Sequence, residues 1–191
     1  MVKFRDSQTA KNLLISFAGE SQARNRYTYF SRQAREDGFI QIADIFEETA
    51  GHECEHALRF FKFFNGGELQ VNWQYPAGAI KSTYENLLAA ADGERYEHSQ
   101  MYPGFAKIAR DEGFTRAADT WDAISVSEKQ HEKRYRELAA NMEANRVFTR
   151  GPDTVWRCRN CGYLHAGAEA PDKCPACVKP QGYFELLGEN W

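Results

Sequence analysis

The stretch Arg35-Glu36-Asp37-Gly38-Phe39 returns as Arg110-Asp111-Glu112-Gly113-Phe114, at an offset of 75 in a chain of 191. The same offset carries Asp44 onto Asp119, Phe46 onto Trp121, Glu53 onto Glu128 and His56 onto His131. Upstream, Gly19-Glu20 matches Gly93-Glu94 at an offset of 74, so the second copy gains one residue before Gly113. Pro103 lies in that stretch, and a proline inside a helix favours a local bulge or kink. Around both copies prolines are few, and apolar residues fall three and four apart among Ala, Leu, Glu, Arg and Gln, a helical pattern. It predicts a first helix from about Ser7, as N-cap, to Asp37, stopping at Gly38. A second runs from about Ile40 to Phe64 and ends at Asn65-Gly66-Gly67. After a long connection, Glu68 to Ala79, a third runs from about Ile80 to Glu112 and a fourth from about Thr115 to Asn145.

Two alike hairpins joined by a long crossover predict an all-α four-helix bundle of the ferritin-like kind. Glu20 and Glu53 stand on either side of Gly38 at similar separations along the chain. At about 1.5 Å per residue both lie roughly 22–27 Å from the turn. The second hairpin repeats this, with Glu94 and Glu128 flanking Gly113 in the same way, so four glutamates reach one level of the bundle. His56 follows Glu53 by three, His131 follows Glu128 by three, and Glu97 follows Glu94 by three; positions so spaced share a helix face. A Glu from each of two helices plus Glu-x-x-His from each of the other two is the ligand set of di-iron and di-manganese carboxylate bundles. Burying five carboxylates uncompensated is expensive, and divalent ions remove that cost. A lone Glu-x-x-His pair is ordinarily a solvated face. Two at matched depth, each opposed by a glutamate, predict a dinuclear centre.

Four of the five cysteines, Cys158, Cys161, Cys174 and Cys177, form two Cys-x-x-Cys pairs. In a cytosolic chain such pairs read as two tight turns offering a tetrahedral S4 shell, which serves zinc and iron alike. The expected organisation is a bundle over 1–145, a linker over 146–154 carrying Gly151-Pro152, and a small domain over 155–191 that needs its metal to fold well. With 24 Lys+Arg against 27 Asp+Glu the net charge is −3, which argues against a nucleic-acid binder. The longest uncharged stretch, Leu69–Ile80, is too short to span a membrane and contains Pro76. The charged start, Met1–Asp6, shows no apolar segment of a secretory signal, so the cytoplasm is the expected location.

The chain resembles the rubrerythrin family over essentially its whole length. The resemblance is carried by Phe17-Ala18-Gly19-Glu20-Ser21-Gln22-Ala23-Arg24-Asn25-Arg26-Tyr27, by the two Glu-x-x-His helices, by Trp156-Arg157-Cys158-Arg159-Asn160-Cys161-Gly162-Tyr163, and by the ending Phe184–Trp191. It implies a rubredoxin-like small domain with an Fe(SCys)4 centre, and two non-haem irons, oxo- and carboxylate-bridged, in the bundle. It implies a peroxidase that reduces hydrogen peroxide to water in oxidative-stress protection. Electrons would enter through the rubredoxin-like centre from a reduced-nicotinamide-dependent reductase or a rubredoxin. Carried over by position, Glu20, Glu53, Glu94, Glu97, Glu128 and His131 are iron ligands. His56 is the alternative ligand that replaces Glu97 on reduction, and Glu97 is the natural proton donor. Tyr27 and Tyr102 match family tyrosines near the metals, expected to bond ligand carboxylates; a packed aromatic is the plainer reading of each. The family also implies a homodimer or dimer of dimers, one subunit's small domain facing another's bundle.

Cys54, one position round the helix from Glu53, is expected to point about 100° away from the metals as a small buried or interfacial residue. His52, His98 and His165 show no partner pattern and are expected at the surface. Phe60, Phe61, Phe63 and Phe64 are expected in core and subunit interface, and Trp156, Tyr163, Phe184 and Trp191 around the small domain's metal. Two rival functions remain: a ferritin-like ferroxidase for iron storage, and a zinc-stabilised adaptor. The appended S4 domain argues against the first, and the matched glutamates with Glu97 against the second.

Overall fold

The computed structural model describes residues 2–190. Helix α1 spans Gln8–Glu36, and its N-cap Ser7 accepts the Ala10 amide at 3.0 Å. It ends at Gly38, whose φ of +86° lets the chain reverse into α2, Ile40–Phe61. Helix α2 stops short of the expected Phe64, because the Phe63 and Phe64 amides turn back to the Phe60 and Phe61 carbonyls and tighten the last turn. Helix α3, Thr83–Tyr96, begins later than Ile80, since Ser82 and Glu85 form a reciprocal capping box. The expected continuous third helix is broken by a wide π turn over Glu97–Met101, followed by α4, Tyr102–Glu112. That turn absorbs the extra residue of the second repeat. Pro103 sits in the first turn of α4, directly after the π turn. Helix α5 covers Thr115–Glu143.

The repeated pentapeptides tie the hairpins together. Asp37 accepts the amide and hydroxyl of Thr83 at the start of α3, at 2.9 and 2.6 Å. Its repeat counterpart Glu112 accepts the amide and hydroxyl of Thr9 at the start of α1, at 2.8 and 2.6 Å, and the Gln8 amide at 3.0 Å. The crossover over 62–82 therefore runs the bundle's length, with the Tyr75 hydroxyl donating to the Ile15 carbonyl at 3.0 Å and Trp73 against Phe105. Two apolar clusters fill the bundle. One centres on Tyr27, Phe30, Phe46 and Tyr135, the other on Leu13, Phe60, Phe105 and Trp121.

The small domain is a three-stranded antiparallel sheet, β2 (Leu164–Ala166), β1 (Val155–Cys158) and β3 (Phe184–Leu186) in that spatial order. Trp156 and Phe184 are buried in it beside Cys158 and Cys174, with Tyr163 half-buried against them; Trp191 lies outside the described residues. Phe148 and Arg150 pair with Ala170 and Ala168. The domain docks on the α1–α2 turn: Phe148 stacks on Phe39, and Arg159 donates to Asp44 at 2.7 and 3.1 Å. Gly182 packs so closely on the Gly38 carbonyl that a Cβ would clash. Among the described residues, no helix is long and apolar enough to cross a membrane.

Candidate metal centres

Helices α1, α2, α3 and α5 bring Glu20, Glu53, Glu94 and Glu128 together between the two apolar clusters, all buried. Their ligand atoms form two groups. Glu20, Glu53, His56 and Glu128 lie within 4.8 Å of one another, and so do Glu53, Glu94, Glu128 and His131. The groups share Glu53 and Glu128, as two ions bridged by two carboxylates require. His56 Nδ1 stands 2.9 Å from Glu128 and 3.3 Å from Glu53, and His131 Nδ1 2.8 Å from Glu128 and 3.2 Å from Glu53.

Few of these contacts are aligned as hydrogen bonds. Buried oxygens on Glu20, Glu53 and Glu94, both carboxylate oxygens of Glu128, and Nδ1 of His131 have no hydrogen-bond partner among the described residues. Acceptors crowded and orphaned in this way fit divalent cations and little else. The electrostatics agree. Burial lifts Glu94 to about 8, and Glu53 adds to the shift. Glu20 is raised well above 4.5, by burial first and then by Glu128 and Glu53. Burial opposes charge on His131, but Glu128, Glu53 and Glu94 outweigh it and lift the imidazole to about 12.

The two tyrosines bond carboxylates of these groups crosswise. The Tyr27 hydroxyl donates to Glu94 at 2.5 Å and the Tyr102 hydroxyl donates to Glu20. The two are related by the same offset as the repeated pentapeptides, so each copy of the repeat steadies the glutamate of the other. Glu97 joins neither group. It heads the π turn, and its Oε1 lies about 4.0 Å, and the Tyr75 ring 3.8 Å, from where a side chain on Gly19 would begin. Burial first, then Glu94 and Glu128, push its carboxyl well above 4.5.

Two histidines have partners that were not expected of them; His52 is exposed, as expected, whereas His98 is half-buried. His52 stacks on His131 with ring centroids 5.2 Å apart and an interplanar angle of 9°, its Nδ1 3.1 Å from Nε2 of His131. The signal available in the sequence was its i,i+4 relation to His56. His98, in the π turn, meets Glu132 at 2.7 Å across to α5, and no local spacing announces that contact. His165 is half-buried. Cys54 is half-buried and lines a shallow groove with Phe17, Leu58 and Phe61. Phe60 is core, while Phe61 is exposed.

In the small domain the four cysteine sulfurs converge. Cys158 and Cys177 are 3.7 Å apart, as are Cys161 and Cys174. Metal–thiolate bonds of about 2.3 Å in a tetrahedron give S···S edges of about 3.8 Å, whereas a disulfide is about 2.05 Å. The shell therefore fits a metal ion.

The rubrerythrin family model matches residues 11–139, and its rubredoxin-like domain model matches 156–185. This chain belongs to the rubrerythrin family. The rubrerythrin of Nitratidesulfovibrio vulgaris is 54% identical over 191 residues, all of both chains. That of Porphyromonas gingivalis is 49% identical, covering 98% of this chain and 94% of its own. The solved structure of fully reduced, all-ferrous nigerythrin matches with a TM-score of 0.63 at 34% identity, over 95% of this chain and 90% of that one. A Desulfovibrio desulfuricans bacterioferritin, TM-score 0.66 at 18% identity, shares the fold over 76% of this chain and 87% of its own. As a member of the rubrerythrin family, the chain carries a ferritin-like di-iron site of carboxylates and histidines and a four-cysteine site matching Fe(SCys)4.

Proposed function

We propose that the protein is a non-haem di-iron peroxidase that reduces hydrogen peroxide to two waters with two electrons and two protons, the electrons entering through the rubredoxin-like Fe(SCys)4 centre. The observation that carries the reading is the joining, on one chain, of two ligand groups sharing Glu53 and Glu128 to a one-electron S4 site. When bound, two irons held by Glu20, Glu53, His56, Glu94, Glu128 and His131 supply the two electrons that O–O cleavage takes up. Around them the chain's own residues set the conditions. Glu53 and Glu128 reach both positions and keep them adjacent. Tyr27 and Tyr102 fix the outer glutamates by hydrogen bonds, and the apolar clusters above and below exclude water. Glu97, beside the centre but outside both groups, holds a proton on its carboxyl and delivers it to the departing oxygen. One of the two ions would be held by His56 when reduced and by Glu97 when oxidised, since imidazole suits the softer ion and carboxylate the harder one. The arrangement with His56 in and Glu97 out is one of the two that this exchange would have.

Within one chain the S4 domain docks at the bundle's end. The α2 segment from Asp44, at that contact, to Glu53 spans about 14 Å of helix rise. A second copy, packed head to tail as a homodimer or dimer of dimers, brings the small domain nearer to the metal level. Unpaired cysteines suit a reducing compartment, the cytoplasm, where a reduced-nicotinamide-dependent reductase or a rubredoxin recharges the S4 centre.

The test is anaerobic stopped flow. The fully reduced, iron-loaded protein meets one equivalent of hydrogen peroxide while the visible absorbance of both centres is followed. Fast oxidation of the bundle centre followed by oxidation of the S4 centre is expected. A reaction no faster with peroxide than with oxygen, or an S4 centre that stays reduced, overturns the reading. A cage-sized assembly in solution would favour storage instead.

A further inference from the structure

The repeat makes His56 and His131 equivalent, and each turns Nδ1 toward the carboxylates. Their outer nitrogens are not treated alike. Nε2 of His131 stands 3.1 Å from Nδ1 of His52, and the two rings are nearly parallel. The contact crosses from α5 to α2, so it ties the second hairpin's imidazole to the first hairpin. At the repeat position equivalent to His52 the second hairpin carries Ser127, whose side chain is a single hydroxymethyl. It is half-buried in the open cleft with Arg59 and Thr120 and offers nothing of an imidazole's reach toward His56.

We propose that His52 is a positioning residue for the bundle's metal centre: its Nδ1 accepts the Nε2–H of His131, fixing that imidazole's tautomer and orientation, an anchor that His56 lacks among the described residues. The inference rests on His131 being a metal ligand. A neutral imidazole has one N–H and one lone pair. If Nδ1 of His131 gives its lone pair to the metal, Nε2 must carry the hydrogen. His52 then has to accept at Nδ1 and keep its own hydrogen on Nε2, which its exposed edge allows. An outer partner of this kind sets ligand orientation and basicity, and its loss typically costs about 10–100-fold in metal affinity. One metal position is thus held rigidly and the other loosely, although their donors match.

The test uses the full-length, iron-loaded protein, whose S4 centre is a built-in reference. A competing chelator is added, and iron leaving the bundle is counted against the visible band of the S4 centre. Variants His52→Leu and His52→Gln are compared with wild type, the glutamine because its amide oxygen also accepts. His52→Leu is expected to lose bundle iron about tenfold more readily. His52→Gln should stay within about threefold of wild type, with the S4 band and the melting temperature of the metal-free protein unchanged in both. Equal retention by wild type and His52→Leu, or His52→Gln behaving as His52→Leu, overturns the inference and leaves the metal centre standing. Wild type that takes up no iron in the bundle overturns the reading of the centre itself.

Discussion

Truncating Glu112 to alanine tests whether the repeated pentapeptides close the two hairpins into one bundle. Its carboxylate accepts three donors at the start of α1: the Gln8 amide at 3.0 Å, the Thr9 amide at 2.8 Å and the Thr9 hydroxyl at 2.6 Å. Thr9 is fully buried, so its hydroxyl has no water to turn to. A lost cap costs about 1 kcal/mol, and a hydrogen bond to a charged acceptor about 1.5–3 kcal/mol. Solvent screening of the half-buried carboxylate trims the charged part, leaving about 2 kcal/mol in all. At this chain length each kcal/mol moves Tm by about 2–4 °C, so Glu112→Ala should melt about 4–8 °C below wild type at neutral pH, read by helix circular dichroism. The pH dependence has a definite sign. Burial pushes the Glu112 carboxyl up, but the bonds from Thr9 and Gln8 outweigh it and hold the group below 4.5. Its contribution is therefore complete above the unfolded value and fades as pH falls through the lower folded one. The gap between wild type and variant should be constant above about pH 5 and close in stronger acid. A Tm loss too small to resolve, or a gap that persists once the carboxylate is protonated, would refute the reasoning.

Three further outcomes are expected. Tyr102→Phe removes the hydroxyl that bonds buried Glu20, and the rate of the peroxide reaction should fall about 10–100-fold while helix content stays constant; an unchanged rate would reduce Tyr102 to packing. Asp44→Ala takes away both Arg159 contacts, while Arg159 and Arg157 keep Glu185, so the small domain should stay folded yet tumble more independently in 15N relaxation. Uniform tumbling would show that the Phe39–Phe148 stack and the Gly38–Gly182 contact suffice. Stripping the S4 metal should collapse near-ultraviolet signals from Trp156 while far-ultraviolet helix signal persists, since among the described residues the small domain's buried apolar core is only Trp156, Ala170, Phe184 and the cysteines Cys158 and Cys174 of the four-sulfur group.

Much of the bundle was legible because periodicity and punctuation agree. Ser7, Gly38 and Gly113 mark helix ends by local chemistry, and the duplicated spacing places four glutamates at one depth without tertiary knowledge. The misplaced ends follow from what a periodic pattern cannot carry. Phe63 and Phe64 continue the apolar rhythm, yet the chain tightens before Gly66-Gly67. Ile80 looks helical, yet the Ser82–Glu85 box decides the start. The extra residue near Pro103 was visible, but not that the strain would settle over Glu97–Met101. The ligand groups were readable from intervals of three, whereas His52 and His98 find their partners on α5, across the bundle.

The departures from the repeat are where function concentrates. Applied strictly, the duplication would give two identical metal positions, each with one terminal glutamate, one histidine and one tyrosine bond supplied crosswise. Glu97, the turn that carries it and His52 break that equality. Glu97 aligns at the upstream offset with Ala23, a buried core residue, so one half alone has a fifth carboxylate. The π turn is the backbone change that presents it, since a widened turn re-aims the side chain at its head. His52, against Ser127, secures one imidazole from outside. On the function proposed above, a centre that gives up two electrons at once and is refilled one at a time benefits from one stationary position and one that can adjust. The inserted residue and the unmatched histidine lie on opposite hairpins, so neither hairpin alone could build that asymmetry.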